Sequence, residues 1–205
     1  MGRWIEMELR AEHICFRYPC GHRPVLEDFS LSLKSGQRLG LLAPSGFGKT
    51  TFCRILAGYQ QPDSGRILLD GRPLSSYKGY CPVQLIWQHP EWVLDPRMKM
   101  KRILAQAAAP EPRLLEALGI REEWLDRYPP ELSGGEQQRF CLARALAPGT
   151  RFLLADEIST MLDLITQAQL WRFLLEEMEQ RNLGLLAVSH DPALLQQVCT
   201  EIRTL

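Results

Sequence analysis

Apolar and polar positions alternate most clearly in the first third of the chain. Ile14 and Phe16 fall on every second position of a β pattern over residues 7–18, and Phe29, Leu31 and Leu33 alternate with serines. Together with the apolar run at 38–43, these predict strands. The period then becomes helical over 50–57, and Gly58 stands where a helix closes through a residue of positive φ. Short apolar runs at 67–69 and 85–87 predict two further strands. From 91 to 130 the texture changes, with prolines at 96, 110, 112, 129 and 130 punctuating helical pieces at 98–109 and 113–118. After Ser133 the pattern predicts a helix to about residue 147, a buried strand at 152–155, a helix at 166–181, a strand at 185–188 and a helix at 192–198. Strands alternating with helices predict an α/β fold whose mainly parallel sheet is covered on both faces. The β-rich start predicts a separate antiparallel sheet, and the proline-rich stretch a small inserted helical subdomain. We expect one domain over 1–205. Its core occupies about 1–88 and 148–205, and its helical subdomain about 89–147.

Composition narrows the function classes. The 205 residues are 45% hydrophobic and 23% charged, enough to bury a core. Lys+Arg and Asp+Glu are both 24, so the chain has no basic excess and nucleic acid is not an expected partner. The longest apolar runs, around 39–43 and 183–188, are strand-sized and far short of a membrane span. Charges at Arg3 and Glu6 stand where a signal peptide is apolar, so the expected compartment is the cytosol. The six cysteines, at 15, 20, 53, 81, 141 and 199, form no C-x-x-C pair and read as small buried hydrophobes. His13, Cys15, Cys20 and His22 cluster within ten positions. Their spacing is tighter than that of usual zinc ligands, so no metal centre is expected there.

The chemistry begins where the 38–42 run enters Ala43-Pro-Ser-Gly-Phe-Gly-Lys-Thr50 before a helix. A strand, then G-x-x-x-x-G-K-[ST], then a helix is the context in which that pattern cradles phosphates. Gly46 and Gly48 let backbone N–H groups face a phosphate, and the helix start adds partial positive charge. Lys49 is expected at the β/γ-phosphates and Thr50 on Mg²⁺. Pro44, Ser45, Phe47 and Thr51 complete the predicted nucleotide loop. Ala43 stands where the pattern has glycine, which costs little if its φ is negative and strains the loop if positive. About a hundred residues later, Phe152-Leu-Leu-Ala-Asp-Glu157 is an apolar strand ending in two carboxylates. Asp156 is placed to hold the Mg²⁺ shell, and Glu157 to orient or deprotonate an attacking water.

Leu132-Ser-Gly-Gly-Glu-Gln-Gln-Arg139 decides the class. Ser133 and Glu136 make a helix capping box, but two consecutive glycines weaken a first turn. They make sense where the helix start must approach a phosphate closely. This segment resembles the LSGGQ signature of the ATP-binding cassette (ABC) ATPases, and the rest of that family's motif order follows along nearly the whole chain. Tyr18 resembles the aromatic that stacks on adenine. Gln88 resembles the Q-loop glutamine, which meets Mg²⁺ and moves with the helical subdomain. Ser159-Thr-Met-Leu-Asp163 resembles the D-loop, with Ile158 where proline is usual, and His190 resembles the switch histidine at the γ-phosphate.

The resemblance implies a P-loop NTPase core, ATP and Mg²⁺, and a head-to-tail dimer with a second ABC ATPase, identical or paralogous. Each ATP would lie between one chain's phosphate loop and the other chain's Ser133, Gly134 and Gly135. It also implies membrane permease subunits, an extracellular substrate-binding protein, and a peripheral place on the cytoplasmic face of the membrane. Two other classes carry the same loop. Soluble ABC ATPases of DNA repair or translation have long insertions or duplicated cassettes. A P-loop metabolic kinase has no use for 132–139. The stretch Gln88-His-Pro-Glu-Trp-Val-Leu-Asp-Pro-Arg97, with 163–169, is similar to the oligopeptide, dipeptide and nickel importer ATPases. It leaves peptides, nickel and metal chelates open as cargo.

Overall fold

A computed structural model describes residues 6–19, 23–44, 46–107, 111–158 and 164–204. Nine strands and six helices are described, joined by short 3₁₀ turns. The strands are β1 (Glu8–Phe16), β2 (Leu26–Lys34), β3 (Arg38–Leu42), β4 (Ser64–Leu69), β5 (Arg72–Pro73), β6 (Val83–Ile86), β7 (Phe152–Asp156), β8 (Gly184–Ser189) and β9 (Glu201–Thr204). The helices are α1 (Lys49–Leu56), α2 (Met100–Ala105), α3 (Pro112–Ala117), α4 (Gly134–Ala145), α5 (Leu164–Arg181) and α6 (Pro192–Val198). Two sheets result: an antiparallel one in the order β2-β1-β4-β5, and a parallel one in the order β6-β7-β8-β3-β9. This is the α/β arrangement expected from the alternation.

The parallel sheet carries the site because its middle strands are dry. β7 and β8 are buried at every position, as a sheet covered on both faces requires. α1 ends as the glycine predicted: Gly58, at φ 78, donates to the Ile55 carbonyl and Tyr59 to that of Arg54. This Schellman closure satisfies the last carbonyls of the helix.

In β1 the inward positions change parity, from Leu9 and Ala11 to Ile14 and Phe16, because Glu12 and His13 both face outward in a bulge. His13 sits at φ 54, and Gly65 of β4 packs under it, where a Cβ would lie 2.5 Å from the Glu12 and His13 carbonyl oxygens. The side-chain partner of His13 is Asp28, at 2.7 Å, and Cys15 Sγ accepts from the Asp28 N–H. Cys20 and His22 lie outside the described residues.

Several boundaries differ from the sequence pattern, β4 beginning at Ser64 rather than at 67 among them. The helix expected at 98–109 is described only over Met100–Ala105. Its first N–H groups, of Met100 and Lys101, are taken by the carbonyls of Arg127 and Leu125, which anchors its start to the following loop; residues 108–110 lie outside the described residues. Trp87, expected as the end of a strand, lies just beyond β6. β9 went unread because its Glu-Ile-Arg-Thr carries one apolar residue. It exists by pairing parallel to β3, exposed at every position on the sheet edge.

Candidate active site

Four of the predicted residues, Lys49, Gln88, Glu157 and His190, converge at the carboxyl ends of β3, β6, β7 and β8. Lys49 opens α1, just past the loop that leaves β3. Its Nζ donates to the carbonyls of Ala43 (2.5 Å) and Pro44 (3.2 Å) and faces Glu157 Oε1 at 3.4 Å. Both side chains are nearly out of water, at 6% and 12% exposed, so the pair is little screened. Glu157 is also met by Gln88 Nε2 and by His190 Nδ1, each at 3.3 Å. One carboxylate therefore gathers the lysine, the glutamine and the histidine that the sequence scattered over 142 positions (49 to 190). Glu157 holds φ 49, a left-handed conformation unusual for a glutamate, and its N–H is tied to the Val188 carbonyl of β8. Backbone strain of this kind persists where the surroundings over-determine it, and it concentrates at reacting groups.

Both glycines of the predicted phosphate loop take the left-handed backbone that glycine favours. Gly46 and Gly48 lie at φ 85 and 83. A side chain on Gly46 would meet open space, whereas one on Gly48 would run into Val25 at 2.7 Å. Ala43 is buried, has no positive φ, and turns its carbonyl to Lys49, so alanine costs the loop nothing here. Phe47 projects from the loop, 59% exposed, and Ser45 lies outside the described residues. The Tyr18 hydroxyl is 2.9 Å from that of Thr51, and its ring packs edge-on against Phe16 at the loop's flank.

The donor set fits a hard divalent cation. Asp156 ends β7 and is buried at 3% exposure, with Oδ1 lacking any hydrogen-bond partner. An orphaned buried carboxylate oxygen, on a side chain that the Thr50 hydroxyl hydrogen-bonds, is an oxygen donor of the kind Mg²⁺ takes, and the Gln88 side chain meets the neighbouring Glu157. Burial pushes the Asp156 carboxyl above its ordinary value; a hydrogen bond from Thr50 opposes this, and the Glu157 charge adds to it. Because the folded-state value is raised, the contribution of this group to stability is present at low pH and lost as pH rises through that value. Asp156→Asn should therefore melt roughly a few degrees higher than the parent at about pH 8 without nucleotide. The gain should vanish as pH falls towards the ordinary aspartate value of 3.8. Thermal melts across pH check the sign.

Ser133, Gly134 and Gly135 stand apart from this cluster. Ser133 caps α4, with Oγ accepting from the Glu136 N–H (3.3 Å) and its own N–H donating to Glu136 Oε2 (2.8 Å), so the capping box is present. Ser133 and Gly134 are exposed, and a side chain on Gly134 would touch nothing within 4 Å. Ile158, in the place of the usual proline, is buried in the core. Asp163 lies outside the described residues.

Sequence reasoning passed over Gln137 and Gln138. Both are buried, and Gln137 Nε2 holds the carbonyls of Pro129 and Leu132 in the loop before the cap. The available signal was helical spacing, which puts Gln138 three and four residues before the apolar Cys141 and Leu142.

Known proteins resemble this chain in sequence and in fold. The family model described as ABC transporter matches residues 26–160. A nickel import ATP-binding protein, NikE, of Rhodospirillum rubrum is 34% identical over 200 residues, covering 88% of this chain and 72% of that protein. The NikE of Escherichia coli strain K12 is 34% identical over 199 residues, covering 88% and 74%. Among solved structures, the dimeric post-hydrolysis state of the ATP-binding cassette MJ0796 bound to ADP and Pi superposes with a TM-score of 0.82 at 22% identity. The match covers 96% of this chain and 94% of that one. An ATP-binding subunit of an ABC transporter gives 0.83 at 22% identity, over 96% and 85%. The family match over about two thirds of the chain and the import ATPase relatives place the chain in the ABC transporter family as one of its ATPases.

Proposed function

We propose that this chain is the ATP-hydrolysing subunit of an importer, working as a dimer beneath membrane permease subunits supplied by an external binding protein. The observation that carries the site reading is the convergence of Lys49, Gln88 and His190 on Glu157 beside the orphaned Asp156 oxygen. In this reading ATP lays its phosphates on 44–51 and its adenine on Tyr18, and Lys49 leaves Glu157 for the γ-phosphate. Mg²⁺, held by Thr50, Gln88 and Asp156, neutralises phosphate charge when bound. Glu157, released from Lys49, takes a proton from the attacking water, while His190 holds the γ-phosphate oxygens. Ser133, Gly134 and Gly135 meet the ATP held by the other ATPase chain, and Asp163 is assigned to the same nucleotide from its place in the sequence motif. The exposure of Ser133 and Gly134, and the open space around Gly134, suit a helix start that another chain's phosphate must reach. Residues about 89–147 turn as the helical subdomain on the 1–88 and 148–205 core.

Membrane attachment is peripheral in this reading. Among the described residues, no helix is long and apolar enough to cross a membrane. Tyr59 and Trp92 are 59% and 67% exposed, and Tyr59 and Trp87 line a cavity of about 150 Å³ with Val93 and Arg144. That aromatic socket suits a cytoplasmic segment of a permease. The NikE relatives point to nickel, free or chelated, ahead of peptides as cargo. Uptake of radiolabelled nickel and of a labelled dipeptide, in cells lacking this chain and in cells given it back, separates the two. Nickel uptake restored by the parent and not by Lys49→Ala is the expected result. Restoration of dipeptide uptake alone would replace the cargo, and restoration of neither would remove the importer reading.

A further inference from the structure

Gln138 is buried in the second turn of α4, five residues beyond Ser133, and touches the other moving part of the site. Its Nε2 donates to the Trp87 carbonyl at 3.4 Å, and Trp87 is the residue joined to Gln88. At that length the bond has slack. On its other side Gln138 joins Gly135, Arg139, Leu142 and Leu170 around a cavity of about 70 Å³ under the start of α4. Its Oε1 is buried with no hydrogen-bond partner. A buried amide oxygen left unpaired costs stability, and an apolar side chain of the same length would avoid that cost. An amide kept in that position, with one loose bond and space beside it, is a group built for two arrangements.

We propose that Gln138 is a positioning residue that ties Gln88 to the Ser133–Gly135 helix start. Movement of Gln88 towards a γ-phosphate carries the Trp87 carbonyl with it. The Gln138 amide follows, its Oε1 takes up the partner it lacks here, and α4 turns. The state of the phosphate is thus passed to the surface that meets the other ATPase chain. This rests on the role proposed above for Gln88.

Gln138→Met keeps length and volume and removes the amide. The test uses the full chain, with Mg·ATP added, and follows four quantities. The nucleotide-free melting temperature should stay level, because losing the 3.4 Å bond to the Trp87 carbonyl is offset by removing the unpaired oxygen. Affinity for ATP should hold within about two-fold, and kcat should fall by about ten-fold with KM little changed. The tryptophan emission change caused by ATP, reported by Trp87 and Trp92 on either side of Gln88, should be lost. A purely structural role, in which the amide only holds the Trp87 carbonyl, predicts the reverse: a lower melting temperature with the emission change and kcat intact. That result overturns the proposal, as does a parent chain whose emission does not respond to ATP. Gln138→Leu repeats the measurement should the methionine variant fail to fold. Gln88→Ala separates the two levels. If it keeps both emission change and turnover, the reading of Gln88 falls. If it loses both while Gln138→Met keeps both, only the Gln138 link falls.

Discussion

Lys49→Ala should leave a folded chain that turns over ATP about 100- to 1,000-fold more slowly, the loss typical of removing one preorganised donor from a developing oxyanion. Lys49 is the cation inside the phosphate loop, 6% exposed, and its Nζ is already aimed along the Ala43 and Pro44 carbonyls. No other Lys or Arg of 43–51 is present to replace it. Nucleotide affinity should fall as well, because a charge-assisted bond to phosphate is lost. Lys49→Arg should not rescue activity, since a wider planar guanidinium does not fit a site that holds a compact ammonium between two carbonyls. Steady-state phosphate release and equilibrium binding of a fluorescent ATP analogue make the measurement. Near-parent turnover in the alanine variant would end the phosphate-loop assignment.

Glu157→Gln should slow hydrolysis by about 100- to 10,000-fold, the range spanned by loss of a general base, while nucleotide binding tightens. The second half follows from the nucleotide-free geometry. Glu157 pairs with Lys49 in a nearly dry site, so an arriving phosphate must compete with a carboxylate for the same ammonium. Glutamine keeps the shape and the contacts of Gln88 and His190 but gives up the charge. ADP serves as the cleaner probe because it cannot be hydrolysed, and its affinity should rise several-fold in calorimetric titration. With ATP, Mg²⁺ and the second ATPase chain present, the variant should collect as a closed dimer on size exclusion. A variant that binds ADP more weakly than the parent would show that Glu157 supports the loop and does not compete for it.

Much of this site was legible because its parts are short and local. A cradle of 43–50 needs only glycines, a lysine and a following helix, and each is a property of neighbouring residues. The same holds for the apolar strand ending in Asp156 and Glu157, and for the capping box of Ser133 and Glu136. Local physics also placed Gly58 at the end of α1, because a left-handed closing residue is a demand of the helix itself. These features survive any packing.

Other features depended on what came to lie alongside. β9 carries one apolar residue and is a strand only because β3 offers it a ladder. The parity change in β1 is invisible in a pattern of period two until β4 brings Gly65 beneath the bulge. Whether Ala43 strains the loop could not be read from its identity; its φ and its carbonyl bond to Lys49 decide that it does not. The sequence by itself determined which groups are candidates for the chemistry and in what order they occur along the chain. Only the tertiary structure decided that Lys49, Gln88 and His190 meet on one carboxylate, that Asp156 keeps an oxygen without a partner, and that Gln138 reaches Trp87 across 51 positions. The reason is physical. Backbone preferences act over a turn or two, whereas the burial and pairing of charges are set by strands that become neighbours only when the parallel sheet closes around them.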